Sequence, residues 1–483
     1  LITTNIDPLY KTASTVSISG QVANLGTTAV TGMDLNYQIG SSPVQTTAIS
    51  GVNVTPNGEN LVTVNSTIPW TVGAAGDQND VKVWVSAPNG GSESDTTNNV
   101  LITPNVVSIN GTSTDRTVLL EEATGAWCQH CPDAHNFVER IKEDNGDNVI
   151  IAIHHNQDAM TNAESNIVNA AYAAGYPSGY VDRTIQSGQT RVGMSRSLWA
   201  SSVTNSLSAT TPVKVNITNV VFNNTSRKLD FTVEAEFVDY YAGDIRIGAM
   251  IKEDLIRGAG TGYDQVIAST YTSNSSHPFY QKRNPMVGYP HKDVIIDIPS
   301  GAWGTEGSIP SFVAPGDTIT FDYSYTLPAM NTVNIPSSAE FLPTGAHPGR
   351  NKPAHIWMVG FVANYDADDI NNRRILNATE RQMWNAALDV TTADLEKNSF
   401  ILVPNAANNY VEIALNYNNP VTDEAKVTIT DITGKIVETL SMKDLKSGMN
   451  TLKVNTTNYS NGVYTVNISG QNMNLSQKLV VSH

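Results

Sequence analysis

The chain has 483 residues, with 29 Lys and Arg against 45 Asp and Glu, a formal net charge of −16. At roughly 150 residues per domain this length predicts about three domains, each long enough to bury its own core. So acidic a chain, without a Lys/Arg block, excludes nucleic-acid binding and an anionic membrane surface as partner, since both need a cationic footprint, and no run reaches the roughly 20 apolar residues of a spanning helix.

Charged residues make up only 15% of the chain, against about 25% in an average soluble protein. A surface of Asn, Thr, Ser and Gly on many strands predicts a secreted or cell-surface bacterial protein. The start at Leu1 reads as a mature or trimmed product whose signal peptide is gone.

The first hundred residues alternate with period 2, as in Val16–Val22, Leu35–Ile39 and Val81–Val85. Turn residues every 8–12 positions then predict a sandwich. The order "VANLGTTAVTG" (22–32), Pro69-Trp70 and "DTTNNV" (95–100) resembles the CARDB-type immunoglobulin-like modules, which are mostly spacers and adhesive units. After a polar linker at 104–115 the pattern changes. Val118–Leu120 and Val149–Ile153 read as buried strands, and 132–145 and 162–174 as helices. Strand, helix, strand, helix is an α/β unit. From about residue 209 strands return, in Leu229–Phe237, Ile319–Tyr325 and Ile356–Val362. They predict a second, larger β-sandwich with long connections at 261–289 and 336–353. A last segment of about 85 residues is a small all-β unit.

The sharpest chemical signal is Trp127-Cys128-Gln129-His130-Cys131-Pro132. A CxxC that follows a buried strand and opens a helix is the thioredoxin-like arrangement. At the helix N-terminus unpaired N–H groups and the dipole favour a Cys128 thiolate. A protonated His130 favours it further and makes the disulfide more oxidising. Glu122, six residues before Cys128, has the spacing of the buried acid that moves protons in thioredoxins. Pro177, 46 residues after Cys131, stands where those folds place a cis-proline. Two further readings of the pair stay open. In an oxidising compartment it is a permanent staple. It is also half a zinc site, with His130, His135 and His154 or His155 as the other ligands. His154 and His155 otherwise end the strand and face solvent or a backbone carbonyl.

"VLLEEATGAWCQHCPDAH" (118–135) followed by "GYPSGYVDR" (175–183), with "HPFYQKRNPMVGYP" (277–290) and "ILNATERQ" (375–382), resembles the outer membrane protein 28-related family of the Bacteroidetes. The resemblance covers about 110–385 and implies a thioredoxin-like domain joined to a β-sandwich. Descriptions of that family range from surface receptor or adhesin to redox protein.

At the C-terminus, "FILVPNAANNYVEIALNY" (400–417), "VTITDITGKIVET" (427–439), "LKSGMNTLKVNTTNYSNGVYTVNI" (445–468) and "KLVV" (478–481) resemble the type A sorting domain of the Bacteroidetes type IX secretion system. Pro404-Asn405, Gly434-Lys435, Gly462-Val463-Tyr464 and Lys478-Leu479 match its motifs in order. Ala406 departs from them, where a second proline is common. The resemblance implies export across the outer membrane and the shuttle and translocon proteins of that system as partners. Chain-end addresses of this kind are read by receptors.

Weaker signals remain. Asp366, Asp368, Asp369 and Asn371 offer the dense oxygen donors that Ca²⁺ takes, but without an EF-hand glycine or glutamate a solvated loop is the competing reading. No other cofactor is expected. Thr96 and Thr318, in Asp95-Thr96-Thr97 and Asp317-Thr318-Ile319, fit the O-glycosylation pattern associated with the Bacteroidetes. No hydrolase motif is present.

The expected chain is therefore multidomain and mainly β. It has an immunoglobulin-like domain at 1–106, a thioredoxin-like domain at 110–205, a β-sandwich at 206–390 and a sorting domain at 395–483. Its expected place is the extracellular space or the outer-membrane surface. The first expected function is a structural, adhesive or binding protein, with a surface polysaccharide or a protein as ligand. The second is a secreted thiol–disulfide oxidoreductase in which Cys128 attacks, Cys131 resolves, His130 tunes the potential, Glu122 moves protons and Pro177 shapes the groove. Exposure of the Cys128 sulfur separates the two, because a nucleophile must be reachable.

Overall fold

The structure is a computed structural model and describes residues 1–92, 96–223, 225–331, 339, 341, 349–383, 399–403, 407–417, 423–445, 448–470 and 473–482. Period-2 alternation builds the N-terminal part. A three-stranded sheet (Thr3–Thr4, Ser19–Val22, Val62–Asn65) faces a five-stranded one, ordered Leu9–Lys11, Val100–Ile109, Gln78–Ser86, Val30–Ile39, Gln45–Val54. Ile18, Leu35, Val81 and Val83 point inward and form the core. Each such side chain contributes about 1.5–3 kcal/mol by leaving water.

The middle of the chain is organised by one seven-stranded sheet. In chain order its strands are β1 (Val118–Thr124), β2 (Val149–His155), β3 (Ser178–Val181), β4 (Ile245–Glu253), β5 (Val294–Asp297), β6 (Ile356–Asn364) and β7 (Ile375–Gln382), and they lie side by side as β3-β1-β2-β5-β4-β6-β7. β1 and β2 are parallel, in register from Val118–Val149 to Thr124–His155. Such a pair needs a crossover, which helix α1 (Cys131–Asn145) supplies. β3 pairs antiparallel with β1. All seven residues of β1 and of β2 are buried, which is why both read as short apolar runs.

Helix α2 (Ala163–Tyr172) starts where Asn162 accepts a hydrogen bond from the Ser165 amide at 2.8 Å, an N-cap. Helix α3 (Trp199–Leu207) was not expected; its run is rich in Ser and Thr, which favour turns in isolation. Its Trp199 lies against Gly179 of β3, where any Cβ would stand 2.2 Å from the indole nitrogen.

The boundary expected between 205 and 206 falls inside this sheet. β4 to β7 come from the segment expected as a separate sandwich, yet they continue the sheet that β1 and β2 begin. β2 and β5 share the parallel pair Ile153–Val294, so the apolar outer edge of β2 is covered, as an edge strand of this kind requires. The other layer of the sandwich is an antiparallel sheet of Val213–Asn223, Lys228–Phe237 and Thr318–Thr326. It packs on β4 and β6 through Val215, Ile217, Phe231, Val233, Ile247 and Met358.

The C-terminal part pairs a three-stranded sheet (Ser399–Val403, Tyr410–Tyr417, Gly448–Asn455) with a four-stranded one ordered Ile436–Leu445, Asp423–Asp431, Gly462–Gly470, Met473–Val481. The two enclose their own apolar core. The chain is thus multidomain and mainly β. Among the described residues no helix is long and apolar enough to cross a membrane.

Candidate functional site

Cys128 and Cys131 form a disulfide with Cα atoms 5.5 Å apart. It sits between the end of β1 and the start of α1, with Pro132 in the first turn. Cys131 is fully buried and Cys128 is only 4% exposed, whereas Trp127 is 43% exposed. The Trp127 indole donates to the Asn156 carbonyl at 2.7 Å and meets Tyr176 edge-on. The Tyr176–Pro177 bond is cis, and β3 follows it directly.

The excursion 254–293, between β4 and β5, lies on the CxxC loop. The Val266 amide donates to the Ala126 carbonyl at 2.8 Å, and the Ala268 amide to the Gln129 carbonyl at 2.9 Å. Gln265 is fully buried, and its Nε2 donates to the carbonyls of Ala126 and Cys128 at 3.2 and 3.1 Å. His130 Nδ1 stands 3.0 Å from the Tyr271 hydroxyl, which also accepts from Arg196. A groove of about 710 Å³ opens beside these groups, lined by His130, Tyr176, Pro177, Arg191, Arg196 and Tyr271.

Beneath the loop lies a group of buried titratable side chains. Both carboxyl oxygens of Glu122 are buried without a hydrogen-bond partner. Burial pushes this carboxyl well above its usual range, against a smaller pull from Arg196. His135 Nε2 stands 3.6 Å from it, and His135 Nδ1 stands 2.9 Å from the Tyr289 hydroxyl. Burial drives His135 down to about 3, and the nearby His155, His291 and Lys292 add to the effect. Burial thus disfavours the charged form of each partner.

The neighbouring Glu121 behaves oppositely. Burial opposes its charge, but Arg183 grips it through Nε and Nη2 at 2.8 and 2.7 Å. With His154 at 3.1 Å, this holds it at about 2. His154 and His155 do not face solvent. His154 is enclosed between Glu121 and Ser165, and His155 is bonded to Asp158 at 2.6 Å, because β2 is covered on both faces. The Glu121–Arg183 pair was missed from sequence. Its signal was a charge directly after the apolar run 118–120, with Arg183 ending "GYPSGYVDR".

The other expected residues are scattered. In the zinc reading, Cys128 and Cys131 are consumed by their own disulfide. Asp366 accepts from the amides of Asp368 and Asp369 at 2.9 and 3.0 Å, and Asp369 accepts from the Asn371 amide. These carboxylates thus spend oxygens on their own turn. Among the described residues no three His, Cys, Asp or Glu side chains come together as a metal site. Thr96 and Thr318 are exposed, and Asp95 lies outside the described residues.

Of the sorting motifs, Pro404 and Asn405 lie outside the described residues. Gly434, at φ +84°, closes the hairpin whose Asp431 side chain accepts from the Thr433 and Lys435 amides. A positive φ there favours glycine. Gly462 opens its strand, Tyr464 is buried and donates to the Ser460 carbonyl at 2.8 Å, and Lys478 pairs with Thr465.

The secretion-system C-terminal sorting domain family matches residues 402–482. No curated protein matches the chain. Among solved structures, HBP35 of Porphyromonas gingivalis is similar at TM-score 0.42 and 15% identity, over 77% of this chain and 99% of that one. A protein from Agrobacterium tumefaciens reaches TM-score 0.31 at 10% identity, over 56% and 95%. Dimeric latent PorU from Porphyromonas gingivalis reaches 0.16 at 10%, over 98% and 32%. Likenesses this loose carry no argument about activity. The C-terminal match does carry one. Residues 402–482 are a sorting domain read by the type IX secretion machinery, and the chain is exported to the cell surface or the extracellular space.

Proposed function

We propose that this exported protein is a structural or binding protein of the cell surface. In this reading its thioredoxin-like unit is a scaffold and the Cys128–Cys131 disulfide is a staple. The observation that carries the reading is the seal over Cys128. The residue is 4% exposed, and residues 265–268 hold the loop around it through the carbonyls of Ala126, Cys128 and Gln129. A nucleophilic cysteine has to be reached by its substrate. The groove beside His130, Arg191 and Arg196 is where a surface polysaccharide or protein ligand would dock. The resemblance to the outer membrane protein 28-related family supports the same arrangement, and the division into units at 1–106, 110–205, 206–390 and 395–483 belongs to the proposal, with the two middle units sharing one sheet.

The test is the reduction potential of the pair, by thiol trapping and mass spectrometry across glutathione buffers. A staple is expected below about −300 mV. A value of roughly −120 to −230 mV, where oxidising catalysts lie, would overturn the scaffold reading. One observation favours the second reading, a secreted thiol–disulfide oxidoreductase. Glu122 is a buried acid whose carboxyl burial pushes well above its usual range, it lies next to the loop, as a proton donor to Cys131 would have to, and neither of its oxygens has a hydrogen-bond partner.

A further inference from the structure

Away from the disulfide, four charged side chains meet where α1 crosses the sheet. Lys252 of β4 is 3% exposed. Its Nζ donates to Asp293 Oδ1 at 2.8 Å, stands 2.5 Å from Glu380 Oε2 and donates to the Ile151 carbonyl at 3.1 Å. The Trp357 ring lies over it at 5.6 Å. Glu380, on β7, is 13% exposed and also accepts from Lys142 of α1 at 2.9 Å. Asp293 directly precedes β5. Its backbone is in the left-handed region at φ 51°, and its carbonyl accepts from the Ile153 amide at 2.9 Å. A non-glycine residue in that conformation is uncommon and is retained where its surroundings need it.

We propose that Lys252 and Asp293 condense to an intramolecular amide, with Glu380 as the proton carrier. Lys252 is 3% exposed and Asp293 28%, and an ammonium and a carboxylate held in contact have the high effective concentration that makes a slow bimolecular step intramolecular. Glu380 takes a proton from the Lys252 ammonium. The freed amine attacks Cγ of Asp293 and forms the C–N bond. Glu380 returns its proton to the departing carboxyl oxygen and relays a second one from Nζ, so that oxygen leaves as water. One ammonium and one carboxylate give one amide and one water, and Glu380 ends as it began.

Burial opposes the charge of Lys252, but Asp293 and Glu380 outweigh it and hold the ammonium well above its ordinary range. The reaction removes one charge of each sign and leaves Lys142 and Glu380 as a matched pair. The amide would tie the two ends of the excursion 254–293 to each other at its base, where it leaves β4 and re-enters β5. The proposal is independent of the redox state of Cys128 and Cys131.

The test is the intact mass of the full chain, purified, reduced and alkylated. The expected result is a mass about 18 Da below that of the sequence. A branched peptide joining the segments around Lys252 and Asp293 should appear after digestion, with no cleavage by trypsin at Lys252. Asp293→Ala and Glu380→Gln should each abolish the branched peptide, and Asp293→Asn should restore it with loss of ammonia in place of water. Full sequence mass with a free Lys252 peptide overturns the proposal, whatever the variants do. So does an 18 Da loss that maps to a linear peptide, which would be a cyclised aspartate elsewhere.

Discussion

His135 makes the stability of the α/β unit depend on pH in a way that can be isolated. Its imidazole is 12% exposed and is driven by desolvation to about 3 from an ordinary 6.5. The folded protein therefore holds it neutral while the unfolded chain protonates it below about pH 6.5. The contribution is fully present above pH 6.5 and is lost as pH falls toward 3. At pH 5 the unfolded state is favoured by about 2 kcal/mol through this one group, and at pH 4 by about 3 kcal/mol, at about 1.4 kcal/mol per unit. Other groups titrate in the same range. Glu122, raised by burial, works in the opposite sense, so the pH dependence of the wild type alone decides nothing.

The informative quantity is the gap between the wild type and His135→Gln. The variant loses the Tyr289 contact and is less stable at pH 7.5. Going from pH 7.5 to 5, the wild type should lose about 2 kcal/mol more than the variant, so the gap shrinks or reverses. Urea titrations read by hydrogen exchange on peptides of α1 and β2 report this unit apart from the terminal sandwiches. A gap of the same size at pH 7.5 and pH 5 would refute the claim that His135 is neutral in the folded protein.

Three further outcomes are expected. Arg183→Met leaves Glu121 buried and uncompensated and should cost about 3–5 kcal/mol in a denaturation midpoint, while the double change with Glu121→Gln should cost clearly less than the single one. Gly179→Ala drives a methyl into Trp199 and should lower stability by about 1–3 kcal/mol or more, measured by thermal melting; an unchanged melting temperature would show that the indole moves aside freely. Removal of residues 399–483 should leave the rest of the chain inside the outer membrane, read by cell fractionation and surface proteolysis, and surface display of the truncated chain would contradict the sorting assignment.

The terminal units were legible because strands there alternate cleanly and bury one face, as Val81 to Val85 and Tyr464 to Ile468 do. α1 carried helical spacing and α2 read as a helical run, whereas its Asn162 cap came only with the structure. The CxxC was legible as a local motif, and Glu122 and Pro177 followed from spacing. What was not legible is what the motif is packed against. Nothing near residue 128 announces that Gln265 will seat its amide on the loop, since that contact spans 137 positions and rests on backbone carbonyls. The sheet that runs across the expected boundary at 205 was hidden for a related reason. A parallel edge such as β2 has to be covered, but its own residues do not say which later strand covers it. α3 was hidden by Ser and Thr, which favour turns in isolation, although Trp199 and Val203 are spaced for one face.

The cap over the CxxC also orders events in time. An exported chain that enters the oxidising compartment N-terminus first presents Cys128 and Cys131 as an open pair before Gln265, Val266 and Ala268 are available to close over them. Oxidation has free access during that interval and little afterwards. A reductant that meets the finished protein has to wait for residues 265–268 to lift, so bond making and bond breaking run along different routes and at different speeds. The lifetime of the disulfide at the cell surface is then governed by the opening rate of the 254–293 excursion, a property encoded more than a hundred residues away from the sulfur atoms it protects.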